Sequence, residues 1–281
     1  MGALYHGLPM ALSDIVPSMS PGGGGGPQPP HAIQVLGVRV HDVTEAEAVA
    51  IIEGFIQGGG PHRVVTPNPE IVMRARREPD LRAILNSSDL SIPDGAGLLA
   101  AARLAGTPLR EHVWGTDLVL RLAERSPSRG WRWFLLGAQP GVAAAAGERL
   151  QARYPGLQVA GTLAGSPGPE GDMEAWLAIS AAGPVHVLLV AYGGGLQERW
   201  IARNQARVGV PVQIGVGGVL DYLAERVQRA PEWARRLELE WAYRLVREPW
   251  RWRRQLALPA FTALAAAETL RKRRRGGPQP P

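Results

Sequence analysis

The 281-residue sequence contains no cysteine, which excludes a disulfide framework, thiolate zinc sites and cysteine nucleophiles and accords with a reducing compartment. Lysine is almost as scarce. Lys272, inside an arginine run, is the only one, so the lysine that a P-loop places after its glycines is missing and Walker-type ATPase chemistry is excluded. No apolar stretch approaches the roughly 18 residues of a membrane span, and the N-terminus lacks the features of a secretory signal. The expectation is a cytoplasmic protein. The six histidines form no H-x-x-x-H pair and have no carboxylates at ligand spacing, so no metal site is expected. No G-x-S-x-G follows a strand, and GVGGVL near Gly215 has Leu220 where a dinucleotide fingerprint needs its last glycine. No cofactor is implied.

What is present is unevenly distributed. From Pro231 to Arg275 there are 12 basic residues against 5 acidic ones, a net of +7 in a chain of net +6, so the remainder carries −1. Four of the nine tryptophans, Trp233, Trp241, Trp250 and Trp252, lie in the same stretch. Arginines mixed with indoles suit an anionic membrane surface or a nucleic acid. Residues 1–30, with Gly22 to Gly26 followed by PQPP, read as a disordered leader, and 276–281 as a disordered tail.

From Ile33 onward short β-rich runs alternate with helical patterns: IQVLGVRV, a helix from Thr44 to Gln57, then RVVT at 63–66. DLSI, WRWFLLG, VHVLLVAY and VPVQIGV continue the series, with helices at Gly97 to Leu104, Val142 to Arg153 and Leu196 to Ala206. The fold class is α/β: a Rossmann-like, mostly parallel sheet with helices on both faces over 31–225, whose ligands gather at strand C-terminal ends. A basic helical appendage over 226–275 follows. There Trp233, Leu237, Trp241 and Leu245 recur every four residues as one helical stripe, and Pro249 kinks or restarts the helix.

Three strand ends are rich in polar and small residues. In TPNPE (66–70) Thr66 and Asn68 follow a strand, and the spacing favours Asn68 as a helix cap. In IPDGAG (92–97) Asp94 reads first as an N-cap and second as a general base, while Gly95 and Gly97 let a ligand approach the backbone. The two roles conflict, because a helix N-terminus favours the ionised carboxylate and weakens it as a base. The ends AYGGGLQE (191–198) and IGVGGVLDY (214–222) form a pair that admits a nucleotide diphosphate, with Gln197 supplying hydrogen bonds, Gly217 and Gly218 leaving room and Asp221 meeting a sugar or ribose. Tight turns with a solvated Gln197 are about as well supported by composition.

The order TPNPE, PDGAG, GTDL, FLLGAQPGV, GGLQERW, GVGGVLDY, RAPEW, LEW, YRL and REPWRWRR, from about Ile33 to Arg254, resembles the WecG/TagA/CpsF glycosyltransferases of bacterial surface-polysaccharide synthesis. The resemblance implies an inverting transfer of a sugar from a UDP donor to a polyprenyl-diphosphate-linked N-acetylglucosamine on the inner face of the plasma membrane. In the best-known branch the sugar is N-acetylmannosamine or its uronic acid. It assigns Asp94 as the base that deprotonates the acceptor hydroxyl, sets Thr66, Asn68 and Gln197 near that base or the donor, and has Arg244, Arg251 and Arg254 close over the site. One position departs from the pattern: His112 stands where the family carries Arg, and Arg110 is its expected substitute for phosphate contacts. No D-x-D triplet occurs, so arginines rather than a metal are expected to meet the departing diphosphate. A nucleic-acid-binding module built on the Arg/Trp tail and a non-catalytic UDP-sugar sensor are the competing readings.

Overall fold

A computed structural model describes residues 30–237, 240–247 and 257–275. The first β-rich run does not enter the main sheet. Leu36 and Gly37 both take positive φ (50° and 86°), the backbone of a tight hairpin turn, and fold the run into antiparallel β1 (Ala32–Val35) and β2 (Val38–His41).

The remaining strands are β3 (His62–Val65), β4 (Leu90–Ser91), β5 (Arg132–Gly137), β6 (Gln158–Leu163), β7 (Val187–Ala191) and β8 (Val212–Gly215). They form one six-stranded sheet in the order β4-β3-β8-β7-β5-β6, and every neighbouring pair is parallel. This is the α/β sheet expected from the alternating pattern. Successive residues of β5 and β7 enter different cores, as period-2 geometry requires: Trp133, Leu135, Val187 and Leu189 on one face, Phe134, Leu136, Leu188 and Val190 on the other.

The first face is covered by α1 (Glu45–Gly58), α5 (Gly115–Arg129), α6 (Val142–Arg153) and α9 (Val219–Leu223). Helix α1 starts where the sequence places it, because Thr44 and Glu47 form a reciprocal capping box. On the other face, α7 (Asp172–Ala181) and α8 (Leu196–Val208) cover one half. The hairpin, α2 (Pro69–Ala75), α3 (Pro79–Asn86) and α4 (Ala96–Leu104) build the core on the other half.

Beyond residue 230 the described elements are helices: α10 (Glu232–Arg236), α11 (Glu240–Arg247) and α12 (Ala257–Arg275). Helix α12 packs on α2 and α4, with Phe261 and Ala265 buried in the core they share with the hairpin. The four-residue stripe falls on two helices rather than one, because α10 ends at Arg236 and α11 begins at Glu240. Trp233, Leu237 and Trp241 are exposed, as is Val246 at 79%, so this surface is apolar and turned to solvent. Pro249 lies outside the described residues, and among those described no helix is long and apolar enough to cross a membrane.

Candidate active site

The strand order makes β4, β3, β8 and β7 consecutive, so the segments after Ser91, Val65, Gly215 and Ala191 share one edge of the sheet. The three polar, glycine-rich regions of the sequence are thereby assembled into one place, the carboxyl edge at which open α/β sheets bind ligands.

After β3, Thr66 Oγ1 donates to the Gly215 carbonyl at 3.1 Å and ties the ends of β3 and β8 together. Asn68 is the N-cap of α2: its Oδ1 accepts the Ile71 N–H at 3.1 Å, and Pro69 opens the helix. The capping reading of Asn68 is what the structure displays.

Asp94 behaves otherwise. The cap position of α4 is Gly95, at φ 106°, and no side chain caps that helix, so the first-ranked reading of Asp94 as N-cap is wrong. With Gly95 at positive φ in the cap position, the Asp94 carboxylate is left outside the capping of α4. The loop is held by Asp94 N–H on the Pro67 carbonyl (3.1 Å) and by Val113 N–H on the Pro93 carbonyl (3.0 Å). The carboxylate, 30% exposed, has Oδ1 3.4 Å from His112 Nε2, and Oδ2 borders Gly115, the first residue of α5, beside Thr66 and Val219.

His112 is 7% exposed and packs against Trp114 with ring centroids 4.1 Å apart and planes tilted by 33°. Its Nε2 accepts the Gly95 N–H at 2.7 Å, which makes that nitrogen an acceptor and leaves the ring proton on Nδ1. The residue expected at a phosphate corner thus holds the Asp94–Gly95 peptide. Arg110, its expected substitute, is committed elsewhere: Nε meets Asp42 Oδ2 at 3.0 Å and the terminal nitrogens meet both Glu47 oxygens at 2.6 and 3.0 Å. The pairing raises the Arg110 guanidinium above its ordinary value and holds the Glu47 carboxyl below its own.

The glycines of the PDGAG segment serve packing rather than ligand approach. A side-chain carbon at 97 would fall 2.6 Å from Pro69 Cγ, and one at 95 would fall 3.1 Å from Pro69 Cδ, so Pro69 already fills the space.

Gln197 is buried, not solvated. Its Oε1 accepts two backbone amides, Gly193 N–H at 3.2 Å and Gly217 N–H at 2.9 Å, and so clamps the loop after β7 to the loop after β8. The amide is oriented by Glu198, whose Oε1 accepts from Gln197 Nε2 at 3.0 Å and whose Oε2 takes the Gly195 N–H at 2.7 Å. Burial pushes the Glu198 carboxyl upward against the pull of those bonds. Sequence reasoning passed over Glu198, for which the only signal is its place three residues after Gly195, the N3 position of a capping box.

Gly218 is the cap residue of α9 and Asp221 lies in its first turn. Beyond α9, between it and α11, opens a cavity of about 590 Å³ lined by Tyr222, Gln228, Arg229 and Tyr243 among others. Arg244 lies on α11, and Arg251 and Arg254 fall outside the described residues. Among the described residues no group of three or more His, Asp or Glu side chains is arranged to hold a metal ion.

The model of the "Glycosyl transferase WecG/TagA/CpsF family" matches residues 33–275. The chain is 35% identical over 198 residues to an N-acetylglucosaminyldiphosphoundecaprenol N-acetyl-beta-D-mannosaminyltransferase of Bacillus spizizenii, covering 70% of this chain and 76% of that protein. Proteins with the same name from Bacillus subtilis and Staphylococcus aureus are 32% identical over 210 residues and 30% identical over 236 residues. These alignments cover 75% and 82% of this chain, and 81% and 90% of the respective relatives. With a family match across residues 33–275 and relatives at 30–35% identity over most of their length, the chain belongs to the WecG/TagA/CpsF glycosyltransferase family.

Proposed function

We propose that this protein is an inverting glycosyltransferase that moves N-acetylmannosamine, or a related hexosamine or uronic acid, from a UDP donor to undecaprenyl-diphosphate-linked N-acetylglucosamine. The names of its relatives supply the acceptor and the sugar. The observation that carries the reading is Asp94: a carboxylate at the ligand-binding edge, released from helix capping by Gly95 and standing beside the first turn of α5.

In this reaction Asp94 accepts the proton of the acceptor hydroxyl as its oxygen bonds to the anomeric carbon. The bond from that carbon to the UDP oxygen breaks on the opposite face, and UDP leaves as the anion. His112 positions the Asp94 loop through the Gly95 amide. Gln197 ties the glycine-rich ends of β7 and β8, the segments assigned to the diphosphate, to each other, with Thr66 bracing the neighbouring end. Negative charge grows on the leaving diphosphate, and forked guanidinium groups match its oxygens. Arg244, Arg251 and Arg254 of the appendage are the groups assigned to it, without a metal, since the sequence has no D-x-D triplet.

The appendage, 226–275, is assigned to the inner face of the plasma membrane. Its net charge supports attraction to anionic lipid, and the exposed Trp233, Leu237, Trp241 and Val246 supply apolar surface. Leu237 and Val246 favour lipid over nucleic acid, because an aliphatic side chain cannot stack on a base. The test uses the full chain with anionic vesicles carrying a short-chain polyprenyl-diphosphate N-acetylglucosamine, UDP-N-acetylmannosamine and EDTA. Mass measurement is expected to find the acceptor heavier by one N-acetylhexosamine. No product from any of a panel of UDP-sugars would refute the reading, and product only when EDTA is omitted would refute its metal-free form.

A further inference from the structure

Helix α5 carries a carboxylate, Asp117, two residues beyond Gly115, the residue that borders Asp94 Oδ2. Asp117 receives a bidentate guanidinium from Arg229, Nη1 on Oδ1 and Nη2 on Oδ2, both at 2.6 Å. Arg235 of α10 stands behind the pair with Nη1 3.7 Å from Oδ2. Asp117 and Arg229 are 23% and 21% exposed, so the pair is largely withdrawn from water, where a planar fork on a carboxylate is geometrically demanding.

An aspartate in the first turn of a helix is already favoured by the amides of that turn, so α5 needs no arginine there. The partner that gains a fixed position is the 226–237 segment. Arg229 precedes α10; Trp233 and the following Leu237 are exposed, while Ala230, just before the helix, and Ala234 within it are buried. At the other end of the same helical turn, Gly115 borders Asp94 Oδ2, Thr66 and Val219. One turn of α5 therefore has the reaction carboxylate at its first residue and the C-terminal segment tied to its third.

We infer that Asp117 and Arg229 form a latch that sets the position of the C-terminal helical segment relative to Asp94. They are positioning residues that touch neither substrate. The inference rests on the glycosyltransferase reading for its kinetic consequence and on geometry alone for its structural one. On that reading, opening the latch displaces the 226–237 segment, which leads into the arginines assigned to the departing diphosphate, so it lowers kcat while leaving donor binding to the β7 and β8 loops intact.

The experiment compares full-length wild type with Asp117→Asn, Arg229→Gln, Arg229→Lys and the Asp117→Asn/Arg229→Gln double variant. Two readouts are taken: steady-state transfer, and amide hydrogen exchange resolved by segment. The expected result is a kcat about tenfold or more lower in each Asn and Gln variant, with the donor KM within about threefold. The double variant is expected to be no worse than either single one, because one interaction is lost only once. Lysine, which keeps the charge but not the fork, restores part of the rate. Amides of 226–237 exchange faster in Asp117→Asn, while those of α6 and α7 do not. A wild-type kcat in Asp117→Asn, additive losses in the double variant, or unchanged exchange over 226–237 would each overturn the latch. Should the wild type transfer no sugar, exchange alone decides: faster exchange over 226–237 upholds the latch while the enzymatic reading fails, and unchanged exchange sinks the latch.

Discussion

Gln197 illustrates how one side chain sets the shape of the sheet's carboxyl edge. Its carbonyl oxygen satisfies two backbone amides from different loops, and Glu198 fixes which way round the amide stands. Replacing Gln197 by Leu fills a similar volume but leaves the Gly193 and Gly217 N–H groups without their acceptor. A fully buried stranded donor costs about 1–3 kcal/mol, and these two, on partly exposed glycines, cost less than that each. Gln197→Leu is therefore expected to lower the urea midpoint and to weaken UDP binding about tenfold or more by calorimetry. Unchanged affinity would show that the two loops hold their places without the clamp. At this scale the sequence was legible where a residue's role is local and opaque where it depends on the path of the chain. Asn68 could be read as a cap from TPNPE, since the whole interaction lies within four residues. Asp94 could not be freed from the same reading, because the deciding fact is the left-handed backbone of Gly95. Nor could the fate of Gly95 and Gly97, whose neighbour Pro69 arrives from another strand end.

Among the elements, the β1–β2 hairpin is joined to the sheet edge through a buried imidazole. Strand β4 is terminal, and its Ser91 N–H is taken by His41 Nδ1 at 2.9 Å while Ser91 Oγ donates to the Arg39 carbonyl at 2.6 Å. Burial, with the nearby Arg39 charge, lowers His41 from its ordinary 6.5 to about 4. Between those two values the unfolded chain binds a proton that the folded chain refuses. Stability from this group is thus complete above about pH 6.5 and is lost as pH falls toward 4, by up to about 3 kcal/mol. His41→Asn keeps an acceptor near Nδ1 but does not titrate. Urea unfolding at pH 7 and pH 4.5 is expected to show a smaller loss in the variant than in the wild type, and equal losses would contradict the assignment. The alternation of strands and helices was legible because continuous apolar runs such as WRWFLLG and VHVLLVAY are buried on both faces. Strand β6 was not, since its Gln158, Gly161 and Thr162 give an edge strand without such a run. The Trp233 to Leu245 stripe suggested one helix because periodicity alone carries no stop signal between α10 and α11.

For the molecule as a whole, strand order does what no local pattern reveals. Placing β8 between β3 and β7 brings TPN, PDG and two glycine-rich ends, separated by as many as about 150 residues of chain, to one edge. The family could be identified from the order of its motifs without that arrangement, but the geometry around Asp94 could not. The charge is divided as well, between a near-neutral body and a cationic C-terminal stretch whose sign suits an anionic surface. The central claim is that one carboxylate at this edge removes the acceptor's proton. Its most direct test is the initial rate of sugar transfer to acceptor-bearing vesicles by wild type and Asp94→Asn, at equal vesicle-bound protein and saturating donor. A general base contributes about a hundredfold to ten-thousandfold, so the variant is expected to bind UDP and vesicles like the wild type and to transfer at least about a hundredfold more slowly. Transfer by Asp94→Asn within about threefold of the wild-type rate would contradict the account.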